Sequence, residues 1–207
     1  EPDILTPAEC DELIEAANHL PPARDGSFLP IMQVHRDEPA FALILDSLTS
    51  HAVPMLNPDG AERFQRRNAQ GIDINRDALR LQTPEGRALK ALRDRLNAPV
   101  GFNLHNQGWR TSAGRTGQPA TISLLSVAFD DKRTESPGRI LTKQLCALIR
   151  DAIEPLAPGR IARYDDEFEV RAFGDNLTKW GTSVVLIETG PWPAADPDPY
   201  LVRLNFV

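Results

Sequence analysis

The chain has 207 residues, enough for one substantial core in a single domain. Its hydrophobic share of 41% and charged share of 25% are ordinary for a soluble globular protein. A net charge of −6 argues against nucleic-acid binding by phosphate neutralisation, and no apolar run approaches the roughly 20 residues that span a bilayer.

The first predicted helix, Pro7–Asn18, opens on Thr6-Pro7, a capping hydroxyl before a helix-compatible proline. A strand over Phe28–Val34 and a helix over Pro39–Leu48 follow, then a strand over Ala52–Leu56. The room between Glu38 and Ala52 holds one helix and almost no connection, less than a parallel crossover usually needs. Either the loop is unusually short there or residues are lacking around Thr49–His51, and Arg24–Phe28 raises the same question. Thr83-Pro84 starts a helix over Pro84–Leu96. Strands over Val100–Leu104 and Ile122–Val127, helices over Gly138–Ile153 and Asn176–Trp180, and a strand over Ser183–Ile187 complete the pattern. The proline-rich run from Pro191 to Pro199 is expected to wall the site before a last helix. The alternation predicts an α/β fold: a mixed, mostly parallel central sheet with helices on both faces. Several strands are continuously apolar, as expected when both faces of a sheet are covered.

Cys10 and Cys146 each lie in a helix-like pattern beside apolar neighbours and are expected to be core thiols rather than a disulfide. No signal peptide is visible, and the chain begins at Glu1 without Met, which leaves a processed or truncated start open. A cytoplasmic location is favoured over a periplasmic or secreted one. The oligomeric state stays open.

Four polar residues stand at the ends of predicted strands or just beyond them. His35 and Glu38 follow the strand Phe28–Val34, His105 ends the apolar strand Val100–Leu104, and Glu188 follows Ser183–Ile187. Such residues suit a mononuclear zinc site, because zinc hydrolases use three protein ligands and keep one position for water. Pro39 disfavours helical geometry at Glu38 and suits the first helical position itself, so His35 and Glu38 would face one crevice. Taken singly, His35 also reads as a surface histidine beginning a helix, and His105 as a core histidine bonded to backbone. His19 and His51 lack such context and are expected to be structural.

The segment from Pro54 to Asp77 adds Asn57-Pro58-Asp59-Gly60, Arg66-Arg67-Asn68 and Gly71-Ile-Asp73-Ile-Asn75-Arg76-Asp77. With His-x-x-Glu before it, and Leu104-His105 and Glu188-Thr-Gly after it, the chain resembles the zinc carboxypeptidases, the carboxypeptidase A-like M14 metallopeptidases. The likeness spans roughly Ile31 to Pro193. The stretches Ser112–Asp131 and Arg163–Phe168 look closer to a bacterial branch of that family. The resemblance implies a zinc carboxypeptidase-like, phosphorylase/hydrolase-like fold. It implies one zinc ion held by His35, Glu38 and His105, with Glu188 as the carboxylate that moves protons. Arg66 matches the arginine that supports the developing oxyanion, with Arg67 next door pointing elsewhere. Asn75 and Arg76 match the pair that grips a substrate's terminal carboxylate, although the same residues read as a turn held by Asp73 and Asn75. Asp59 and Asp73 are expected to order these loops.

The match thins at two places. The family's tyrosine over the substrate has Tyr164 as its nearest counterpart, at an imperfect spacing, and a packed loop tyrosine is the competing reading. Phe168 is nearer in register but has no hydroxyl. Asp175 falls where specificity-pocket residues are found, and an N-cap reading serves it equally well. The implied activity is a metallocarboxypeptidase acting on peptides with a free C-terminal carboxylate. Alternatives are a zinc amidohydrolase acting on N-acyl amino acids or cell-wall peptides, and a non-catalytic peptide-binding relative.

Overall fold

The structure is a computed structural model that describes residues 48–194, 200, 201, 204 and 205. Contacts divide the chain into Glu1–Pro54 and Met55–Val207, and almost all the described residues belong to the second unit. The helices expected over 7–18 and 39–48 and the strand over 28–34 lie outside the described residues, apart from Leu48, which has no regular structure. Cys10, His19, His35 and Glu38 lie outside them too.

The elements bounded among the described residues run in chain order α1 (Pro58–Glu62), α2 (Pro84–Leu96), β1 (Val100–Asn106), β2 (Ile122–Ser126), α3 (Pro137–Ile153), β3 (Ile161–Arg163), α4 (Phe173–Lys179) and β4 (Ser183–Thr189), with residues 200, 201, 204 and 205 also helical. A 3-10 turn at Ile74–Arg76 lies between α1 and α2. The strands form a sheet in the order β1-β4-β2-β3. β1 runs parallel to β4 and β2 parallel to β3, while β2 and β4 are antiparallel, so the sheet is mixed as the sequence suggests.

Local chemistry explains the helix starts. Thr83 caps α2 by accepting the Gly86 amide at 3.0 Å, with Pro84 in the first turn, and Asn97 closes it in the left-handed conformation. Ser136 accepts the Arg139 amide at 3.1 Å and Pro137 opens α3, one residue before the expected start. The side chains then sort by strand alternation onto two faces. On one, Ile122, Leu124 and Ile187 pack with Cys146, Ile149 and Ile153 of α3. On the other, Leu125, Val127, Val184 and Leu186 pack with Leu177 of α4. Full burial of one such side chain is worth roughly 1.5–3 kcal/mol.

Several expectations are corrected. Residues 52–56 form no strand: Ala52 and Val53 are exposed, and Pro54 has no amide to donate. Leu56 instead packs on Ile74, Ala78 and Phe173, and the tight crossover implied before Ala52 loses its second strand. β1 continues two residues past Leu104, so His105 lies within the strand rather than at its end. Its outward residues Phe102 and Leu104 are 57% and 69% exposed, unlike the doubly covered strand expected. α4 begins three residues earlier than predicted, at Phe173. Among the described residues no helix is long and apolar enough to cross a membrane.

Candidate active site

The parallel pair β1 and β4 puts His105 directly opposite Glu188, with Ser123 of β2 on the other side of Glu188. Register partners in adjacent strands project to the same face, here the face packed by α4. The carboxyl ends of parallel strands are where open α/β sheets bind ligands. The end of β4 is fixed by a close approach. A Cβ on Gly190 would lie 2.0 Å from the Ala120 carbonyl oxygen, and the Gly190 amide donates to Thr121 O at 2.7 Å. The glycine of Glu188-Thr-Gly190 therefore lets the strand end pass against 120–121 and holds Glu188 in register.

Glu188 is only 7% exposed, and its carboxylate makes no hydrogen bond among the described residues. Burial pushes its pKa up to about 7, with the Arg66 guanidinium pulling the other way. His105 moves down from its ordinary value, first through burial and then through Arg66 and Arg76, with Asp73 opposing. The imidazole is thus kept neutral, the form that binds a metal.

Arg66 donates from Nε to Asp73 Oδ2 at 2.6 Å, and Asp73 Oδ1 accepts the Asn75 amide at 3.0 Å. Asp73 therefore fixes both the arginine and the 3-10 turn, an ordering role as expected. Arg66 Nη1 and Nη2 make no hydrogen bond among the described residues. Arg67 turns away and donates to the Gly71 carbonyl at 2.9 Å. Asp59 accepts the Ala69 amide at 3.3 Å and so ties α1 to this loop.

Asn75 does something its sequence context did not announce. Its Oδ1 accepts the Phe173 amide at 2.9 Å and so supplies the cap that Ala172 cannot give α4. That bond leaves the Asn75 amide group as a donor. Arg76 donates from Nη1 to the Asn75 carbonyl at 2.7 Å and pairs through Nε with Glu169 Oε2 at 3.5 Å.

Tyr164 directly follows β3, and its amide donates to Leu124 O at 3.0 Å, so it is anchored to the sheet. Its ring packs on Leu125, Val127 and Val184. Burial raises the phenol pKa first, followed by the charges of Glu188 and Asp165, so the hydroxyl senses Glu188 as well as the core. Phe168 is half-buried. Asp175 is not the N-cap of α4: it lies inside the first turn and accepts the Glu169 amide at 3.0 Å. Burial pushes its carboxyl up to about 6. His51 is exposed, and the Cys146 thiol is pushed by burial up to about 11, as for an inert core cysteine.

The zinc carboxypeptidase family model matches residues 30–131. Over that stretch the chain is similar to the zinc carboxypeptidases. It is 31% identical over 99 residues to proteins named probable carboxypeptidase 2 in Trichophyton verrucosum and in Arthroderma benhamiae. The match takes in 47% of this chain and 18% of those relatives, so the chain spans a small part of their length. A metallo-carboxypeptidase from Burkholderia cenocepacia shares the fold, with a TM-score of 0.51 at 17% identity over 73% of this chain and 40% of that one. The described residues contain no cluster of three metal-binding side chains. His105 fits one zinc position by chemistry: it is neutral, half-buried and free of hydrogen bonds to other described residues.

Proposed function

We propose that this chain is a zinc-dependent metallocarboxypeptidase that hydrolyses the C-terminal peptide bond of peptides. The observation that carries the reading is the register pair, on one sheet face, of His105 and a buried Glu188 that makes no hydrogen bond among the described residues. A structural carboxylate at that depth would have hydrogen-bond donors, whereas a general base needs a proton affinity near the working pH.

His105, together with His35 and Glu38, would hold the metal. When bound, zinc supplies a Lewis acid that polarises the scissile carbonyl and lowers the pKa of a water towards about 7. Glu188 would accept a proton on a carboxylate oxygen and deliver it to the leaving nitrogen. Its raised pKa suits both steps, because the same group must take the proton and then release it. Arg66, fixed by Asp73 through Nε, turns its remaining N–H groups to the carbonyl oxygen as charge develops there. Asn75 and Arg76 bind the substrate's terminal carboxylate, Asn75 through its amide donor and Arg76 through its planar fork. Tyr164 and Asp175 line the substrate's side of the site.

Elemental analysis with a small-substrate panel tests the reading. One zinc per chain is expected, lost on His105→Ala, together with turnover of peptides that carry a free C-terminal carboxylate. Stoichiometric zinc that survives His105→Ala would remove His105 from the ligand set. Turnover of N-acyl amino acids in place of peptides would make the chain an amidohydrolase.

A further inference from the structure

The arginine assigned to the substrate carboxylate already faces a carboxylate of its own chain. Glu169 Oε2 lies 3.5 Å from Arg76 Nε, and Arg76 Nη1 donates to the Asn75 carbonyl at 2.7 Å. Those two contacts fix the plane of the guanidinium. They leave Nη2 without a hydrogen bond among the described residues.

Glu169 is itself held from several sides. Arg171 donates to it twice, from Nε to Oε1 at 3.0 Å and from Nη2 to Oε2 at 2.9 Å, and the Arg171 amide donates to Oε1 at 3.1 Å. The Glu169 amide donates to Asp175 Oδ1 at 3.0 Å, which ties the loop to α4. The same helix is capped by Asn75, so Asn75, Arg76 and Glu169 share one rigid support. The Arg171 hydrogen bonds, with Arg76 adding its charge, hold the Glu169 carboxyl down near about 2, so it is ionised at any working pH.

We infer that Glu169 is a positioning residue that fixes the guanidinium of Arg76 so that its free N–H groups meet the substrate's C-terminal carboxylate. A free arginine side chain has many rotamers to lose, and holding it before the ligand arrives removes part of that cost from binding. The pair is made through Nε and Nη1 meets the Asn75 carbonyl, which leaves Nη2 for the ligand. A competing chemistry is built into the same contact. If Glu169 instead occupied the place of the substrate carboxylate, its removal would tighten binding rather than weaken it.

This inference rests on the reading of Arg76 given above, and the experiment separates the two. Dissociation constants are measured by calorimetry for a peptide substrate and for its C-terminal amide, in the full chain carrying Glu188→Gln to suppress turnover. Arg76→Ala should remove most of the preference for the acid. If it does not, the reading of Arg76 fails and takes this inference with it. Glu169→Gln keeps the shape and one acceptor for Arg171 but loses the charge, and should cut the acid-over-amide preference by about threefold to fivefold, the upper end of what a partly exposed ion pair contributes. In the Arg76→Ala background, Glu169→Gln should have no further effect, because Glu169 acts through Arg76. Glu169→Asp, which retracts the carboxylate, provides a second variant if the amide perturbs folding, and should also lower the preference. A preference that survives Glu169→Gln unchanged, or that rises, overturns the inference while leaving Arg76 in its role. So does an equal loss in the Arg76→Ala background.

Discussion

Asp77 and Glu188 are buried to nearly the same depth, 3% and 7% exposed, yet their carboxyls move in opposite directions. Asp77 sits at the entrance of α2. Burial alone would raise its pKa, but it accepts from the Gln82 amide at 2.9 Å, the Thr83 amide at 2.8 Å and the Thr83 hydroxyl at 2.7 Å. Those bonds, with Arg87 nearby, bring it below its ordinary value. The Glu188 carboxyl is the more heavily desolvated of the two, has no such bonds among the described residues, and rises to about 7. The donors supplied and the desolvation of the carboxyl itself, not the exposure of the whole residue, separate them. One carboxylate is a joint in the structure. The other is the one we propose as the proton-exchanging group.

The largest stability effect should follow from breaking the joint. Asp77→Ala strips the Thr83 and Gln82 amides of their acceptor, and each buried unsatisfied donor costs about 1–3 kcal/mol, so urea denaturation should show a loss of about 2–4 kcal/mol. The sign with pH is fixed by the direction of the shift. The folded-state pKa lies below the unfolded value near 3.8, so the wild-type advantage is full above that value. It should fade as pH falls through the folded-state value. A gap that widens in acid would mean the bonds are made by something other than the carboxylate.

A smaller effect of opposite sign belongs to Asp175, which is raised to about 6 chiefly by burial. For a carboxyl raised in the folded state, stability is full below the unfolded value near 3.8 and is lost as pH rises through about 6. Asp175→Asn keeps an acceptor for the Glu169 amide and removes the charge. Its Tm should exceed wild type above roughly pH 7 and converge with it below roughly pH 4. A variant less stable than wild type at neutral pH would show that Asp175 has a cationic partner.

Much of this division was legible in the sequence where local chemistry sets the outcome. Thr83-Pro84 gave the start of α2, and Leu96 its end. The apolar run before Glu188 gave β4, although the ladder extends two residues further, through Glu188 and Thr189. What escaped depends on distant contacts. The cap of α4 comes from Asn75, nearly a hundred positions away in sequence, so nothing beside Phe173 marks the helix start. The three residues of β3 are too few to show alternation. Residues 52–56 look like a strand by composition, yet their backbone pairs with no strand among the described residues. The motif positions Arg66, Asn75, Arg76, His105 and Glu188 were singled out by resemblance. The Arg66–Asp73 and Arg76–Glu169 pairs were not, since Glu169 carries no sequence mark that distinguishes it from a surface glutamate.

The most direct test of the central contrast is turnover of a peptide with a free carboxyl terminus by Glu188→Gln in the full chain, with Tm and zinc content measured on the same sample. The substitution keeps shape but cannot take a proton, and general acid–base help is typically worth about 10²–10⁴-fold in rate. Turnover should fall by about that factor, while Tm and zinc stay at wild-type levels, because Glu188 makes no hydrogen bond among the described residues and is proposed as a base rather than a ligand. A variant that keeps near wild-type kcat, or that loses its zinc or its fold, would contradict the account.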